Sequence, residues 1–100
     1  MAQENKEAVS EAVRLKTPPK YHVIMLNDDA TPMEFVIQIL VTTFNKVHDD
    51  ATSITMDIHE NGRGIAGTYS YEVAEQKCIE TITEARQAGF PLDVVVEEVE

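Results

Sequence analysis

The chain has 100 residues, 43% hydrophobic and 26% charged, the proportions of one globular domain. Its 18 acidic residues outnumber 8 basic ones, a net charge of −10, which argues against nucleic acid or anionic membranes as partners, since both need clustered Lys and Arg. The single cysteine, Cys78, excludes an intrachain disulfide and a paired-cysteine metal knuckle, and no apolar run approaches the roughly 18 residues that span a bilayer. The first residues lack the apolar stretch of a secretory signal, so a cytoplasmic location is expected.

Residues 1–20 carry three acids and four bases, whereas residues 21–100 carry fifteen acids and four bases. The first segment has few large apolar residues and ends in Thr17-Pro18-Pro19-Lys20, where two prolines break any helix. We expect residues 1–20 to be a flexible arm and residues 21–100 to be the folded domain. Tyr21-His22-Val23-Ile24-Met25-Leu26 is β-rich and almost wholly apolar, as in a buried central strand. Asn27-Asp28-Asp29-Ala30 then supplies turn formers. Thr31-Pro32-Met33-Glu34 predicts a helix start, with Thr31 as cap, Pro32 at the first helical position and Glu34 closing a capping box. Val36, Leu40, Phe44 and Val47 at helical spacing carry that helix to about Lys46.

Asp49 or Asp50 can cap a short helix over Ala51–Glu60, with Ile54 and Ile58 on its inner face and Asn61-Gly62 as its left-handed stop. Gly64–Tyr69 reads as a weaker strand. Ser70 caps a last helix whose inner stripe is Val73, Ala74, Lys77, Cys78, Thr81, Ile82 and Ala85. Gly89 and Pro91 end it, and Leu92–Val96 is the final strand. The order β-α-α-β-α-β predicts an α+β fold, a small antiparallel sheet packed against three helices.

Two places offer chemistry. The paired carboxylates of Asp28 and Asp29, on a strand-to-helix turn, suit a cation, whether a metal, an ammonium group or an arginine; a solvated turn that caps the next helix explains them equally. His59 is either a ligand-binding side chain or a histidine at a helix C-terminus. The spacing of His22, His48 and His59 matches no zinc motif, and Cys78 falls on an apolar stripe as a core residue. A recognition module, a hydrolytic or metal site on Asp28, Asp29 and His59, and a structural subunit all remain open from the residues alone.

The run Asn27-Asp28-Asp29-Ala30-Thr31-Pro32-Met33-Glu34-Phe35-Val36, preceded by Tyr21–Leu26, resembles the signature of the ClpS family, adaptors of the bacterial ClpA-type AAA+ protease. Ile58-His59 with Gly62 and Gly67, Tyr71-Glu72-Val73-Ala74-Glu75 with Lys77, and Pro91-Leu92 continue the resemblance over residues 18–97. It implies an adaptor, not an enzyme, that acts as a monomer without cofactor or metal. Such an adaptor binds substrates with a free N-terminal Leu, Phe, Tyr or Trp and delivers them to the ClpA unfoldase for degradation by ClpP. By the same resemblance Asn27 and His59 would hydrogen-bond the α-ammonium group, with Asp28 adding negative field. Asp29 and Thr31 would contact the peptide near its first residues. Pro32, Met33, Val36, Thr55, Ile58 and Leu92 would form the hydrophobic pocket, and Glu72 and Lys77 would meet the unfoldase N-domain. The sequence departs from the family at Thr55, a pocket-rim position usually held by Met or another bulky apolar residue, and at Ala30, where a larger residue is common. The shorter Thr55 is expected to weaken Leu most and to reject Val and Ile less strictly.

Overall fold

The computed structural model of the chain describes residues 18–100, so the expected arm lies almost wholly outside the described residues. The elements are β1 (Tyr21–Leu26), α1 (Met33–Thr42), α2 (His48–Asn61), β2 (Arg63–Tyr69), α3 (Tyr71–Gln87) and β3 (Asp93–Glu98). The three strands form one antiparallel sheet in the order β2-β1-β3, so the apolar β1 is central, as its composition predicts. The expected α+β order, β-α-α-β-α-β, is the observed one.

Residues of β1 alternate between the two faces of the sheet. Val23 and Met25 enter the core with Val36, Ile39, Leu40, Phe44, Ile58, Leu92 and Val94. Ile24 points the other way yet is only 2% exposed. It stands between Ile65 and Val95 in the strand register, on the face where Arg63 of β2 and Glu97 of β3 make a 2.8 Å ion pair across the central strand. Helix α3 packs on the sheet through small residues, Ala74, Cys78, Thr81 and Ala85. The Cys78 thiol sits close to the Val94 carbonyl at 3.4 Å, which agrees with a core rather than a reactive cysteine.

Several helix boundaries differ from expectation, each for a local physical reason. Thr31 does not cap α1. Its hydroxyl donates to the Asp28 carboxylate at 2.7 Å, a charge-assisted bond that holds the side chain toward the turn and away from the first amides of the helix. Pro32, extended at ψ 142°, becomes the flanking residue rather than the first helical one, and Glu34 closes no capping box. Helix α1 ends at Thr42, not near Lys46, because Asn45 turns left-handed at φ 57°; the Lys77 ammonium donates to the freed Thr43 carbonyl at 2.7 Å. Helix α2 starts at His48, which places Asp49 and Asp50 inside its first turn, where they favour the positive helix end without capping it. Ser70 flanks α3 but makes no side-chain cap bond. Val73 is 42% exposed and stands off the predicted stripe. Strand β2 begins at Arg63, and β3 covers Asp93–Glu98, leaving Leu92 just before it.

Gly62, at φ 86°, ends α2 as Asn61-Gly62 predicts and turns the chain directly into β2. Two residues on, Gly64 lets α2 lie close to the sheet. A Cβ there would stand 2.7 Å from Ile58 Cγ1 and 3.2 Å from the Ile54 carbonyl oxygen. Gly64→Ala is therefore expected to push α2 outward and destabilise the fold by about 1–3 kcal/mol, read from the midpoint of urea denaturation.

Candidate functional site

The chain ends of β1 and α2 meet at one edge of the sheet. The Asn27 amide donates to the Gly62 carbonyl at 2.9 Å, and the Gly62 amide donates back to Ile58 at 2.9 Å. This pairing sets Asn27, the first residue past β1, beside the last turn of α2, which carries Ile58 and His59. Between them opens a shallow pocket with about 20 Å³ of free space. Leu26, Asn27, Asp28 and Thr31 line it from the β1 end and turn, Met33 and Val36 from α1, Thr55, Ile58 and His59 from α2, and Leu92 from the approach to β3.

The polar groups divide into committed and free. Asp28 is committed: one carboxylate oxygen accepts from the Ala30 and Thr31 amides at 2.8 and 2.7 Å, and the other accepts the Thr31 hydroxyl. This is an Asx-type turn that shapes the loop entering α1. Burial pushes the Asp28 carboxyl up. The Thr31 hydroxyl, the two amides and the Arg86 charge pull it further the other way, and the result lies below its ordinary value. Asn27 and His59 are free. Both are exposed, and neither side chain has a hydrogen-bond partner among the described residues. A carboxamide and an imidazole ring therefore stand unengaged at the mouth.

Below them the lining is apolar. Val36, Ile58 and Leu92 are buried, and Met33 is 40% exposed at the entrance. Thr55 is 2% exposed, so it belongs to the buried wall and not to an exposed rim. Its hydroxyl donates to the Ala51 carbonyl at 2.8 Å, one turn back on its own helix, which leaves no free donor for a ligand. Met56, next in sequence, is turned away from the pocket and 38% exposed. The surface suits a ligand with a cationic donor head and an apolar side chain.

The structure thus brings together Asn27, Asp28, Thr31, Met33, Val36, Thr55, Ile58, His59 and Leu92. Two of the expected residues lie outside the lining, Asp29, exposed on the turn, and Pro32, exposed at the head of α1. Leu26 joins the wall unforeseen; its only signal in sequence is an apolar side chain directly before the turn. Glu72 is exposed on the first turn of α3, while Lys77 is half-buried with its ammonium on Thr43. Among the described residues, no three His, Cys, Asp or Glu side chains gather where a metal could be held. No described helix is long and apolar enough to cross a membrane.

Residues 16–95 match the family model of ATP-dependent Clp protease adaptor protein ClpS. The ClpS adapter protein of Paraburkholderia xenovorans is 47% identical over 85 residues, 85% of this chain and 82% of its own. That of Paraburkholderia phymatum is 44% identical over 96 residues, 96% of this chain and 92% of its own. Among solved structures, Agrobacterium tumefaciens ClpS2 bound to L-phenylalaninamide superposes with a TM-score of 0.79 at 34% identity, covering 82% of this chain and 99% of that one.

The Asp28 turn carries a testable acid response. Because its native pKa is depressed, the stabilisation it contributes is fully present above the ordinary aspartate value of 3.8 and is lost as pH falls through the lower native value. In an acid titration the amide resonances of Ala30 and Thr31 should move together, with a midpoint below 3.8. Asp28→Asn should abolish that transition.

Proposed function

This chain belongs to the ClpS family of ATP-dependent Clp protease adaptor proteins, and from that premise we propose that it recognises substrates by a free N-terminal Leu, Phe, Tyr or Trp. It passes them to a ClpA-type AAA+ unfoldase for degradation by ClpP and catalyses nothing itself. The observation that carries this reading is the pairing of two unengaged acceptors, Asn27 and His59, with an apolar pocket directly beneath them. L-phenylalaninamide, the ligand of the Agrobacterium protein, joins the two features such a site reads, an α-amino group and an apolar side chain.

The energies agree. An α-ammonium group has three donors, of which the Asn27 oxygen and a His59 nitrogen accept two. Charge-assisted bonds contribute roughly 1.5–3 kcal/mol each, and burying a Leu or Phe side chain contributes roughly 1.5–3 kcal/mol more. The gross sum reaches micromolar binding, about −8 kcal/mol before ordering costs, only when both halves are present. Asp28 acts from behind: its charge adds negative field while its oxygens hold the turn. In this reading Asp29 and Thr31 contact the peptide near its first residues. In this reading Glu72, exposed on α3, and Lys77, half-buried with its ammonium on Thr43, meet the unfoldase N-domain.

Calorimetry with a Phe- or Leu-initiated peptide against its acetylated form tests the reading, and equal binding of the two would end it. Asn27→Ala and His59→Ala should each weaken binding by roughly 1.5–3 kcal/mol, about tenfold or more, with the fold retained.

Thr55 should set the ranking of first residues. It is shorter than methionine, and each methylene of contact forgone costs about 0.8 kcal/mol. A panel of peptides beginning with Leu, Phe, Tyr, Trp, Ile and Val is the measurement. Thr55→Met should raise Leu relative to the aromatics and reject Ile and Val more strictly. An unchanged ranking would remove Thr55 from selection.

A further inference from the structure

The pocket wall at Leu92 is held by a residue that does not line it. Helix α3 ends in a Schellman motif: the Phe90 amide donates to Ala85 at 2.8 Å and the Gly89 amide to Arg86 at 3.0 Å, with Gly89 left-handed at φ 84°. The chain then runs through Pro91, which has no amide hydrogen to give. Arg86 supplies what the backbone lacks. One guanidinium nitrogen, Nη1, donates to the Phe90 carbonyl at 2.9 Å and to the Leu92 carbonyl at 2.8 Å. The Phe90 ring meets Phe35 of α1 edge-on at 4.9 Å, so the segment is clamped between α1 and Arg86. Leu92, 1% exposed, is thereby set against the pocket.

Arg86 itself is exposed and adds nothing to the core packing of α3, which rests on Ala74, Cys78, Thr81 and Ala85. Among the described residues its side-chain hydrogen bonds go only to this segment. Its charge also bears on Asp28 and helps keep that carboxylate ionised.

We propose that Arg86 is a positioning residue for side-chain selection: by fixing Leu92 it sets how strongly an apolar first residue is preferred over a small one, without touching the ligand. This rests on the N-terminal-residue reading above. Removing the guanidinium frees the Leu92 wall to move, so the loss falls on the apolar half of recognition and spares the contacts at Asn27 and His59.

The test uses the full chain as wild type, Arg86→Gln and Arg86→Lys. Competition anisotropy measures peptides that begin with Phe or Ala, both with free amino groups, and acetylated Phe as control. In Arg86→Gln the preference for Phe over Ala should fall about tenfold. The Leu92 methyl resonances of the free protein should shift, while those of Val23 and Leu40 in the core stay in place. Arg86→Lys keeps the charge and can still donate, so its preference should fall between the two; it carries the test alone if the glutamine variant does not fold. A preference within about twofold of wild type in the folded variants overturns the proposal, as does a loss shared equally by both peptides, which would mark a purely structural role. If the wild type fails to distinguish free from acetylated Phe, the N-terminal reading falls and this inference with it. If the wild type distinguishes them and the variants keep the full preference, Arg86 alone is excluded.

Discussion

The bond from the Asn27 amide to the Gly62 carbonyl, at 2.9 Å, is the constraint on which the site depends. It joins the end of the central strand to the end of α2, two chain segments whose local preferences have nothing to do with one another. Gly62 can accept it because its left-handed conformation ends the helix there and sends the chain straight into β2, the neighbour of β1. Asn27 and His59 consequently share one mouth, and Ile58, one residue before His59, faces inward beneath it. Gly64 serves the same geometry from the other side, since its missing side chain lets α2 approach the sheet.

Around that junction the polar residues have separate tasks. Asp28 has its oxygens taken up by the turn, and this rigidity keeps Asn27 and Thr31 in place. Asn27 and His59, both exposed, remain free to accept. The arrangement suits a ligand that brings its own positive charge: neutral acceptors give directional hydrogen bonds, while the acidic excess of residues 21–100 supplies attraction at longer range. A hydrolytic reading of the same residues fits less well, because the Asp28 carboxylate that would have to act is already satisfied.

Much of the fold was legible in the chain because the signals were local. An almost wholly apolar run marked β1 as central, Asn61-Gly62 marked the end of α2, and the small inward residues of α3 followed helical spacing. The misplaced boundaries were those where two local signals competed. Thr31 could turn toward the helix amides or toward Asp28, and the charge-assisted bond to Asp28 fixed its orientation. The apolar spacing ran through Phe44, which is indeed buried, although the helix had already ended at Thr42 and the residue reaches the core from a turn. The same spacing failed at Val47, 65% exposed and flanking α2, because periodicity places side chains only while the backbone stays helical.

For the site, the sequence by itself determined which residue types were present and, through a long motif resembling one family, which of them belonged together. That motif is contiguous from Asn27 to Val36, so its turn and the first helix could be read as a unit. Only the tertiary structure decided how each side chain is used. It placed Leu26 in the pocket wall and left Asp29 and Pro32 outside it. It buried Thr55 and spent its hydroxyl on Ala51, turned Lys77 onto the end of α1, and brought Arg86 to the carbonyl of Leu92. The reason is range. Turn chemistry, capping and periodicity act over a few residues, whereas the partner of a free donor or acceptor is set by which chain ends the sheet brings side by side.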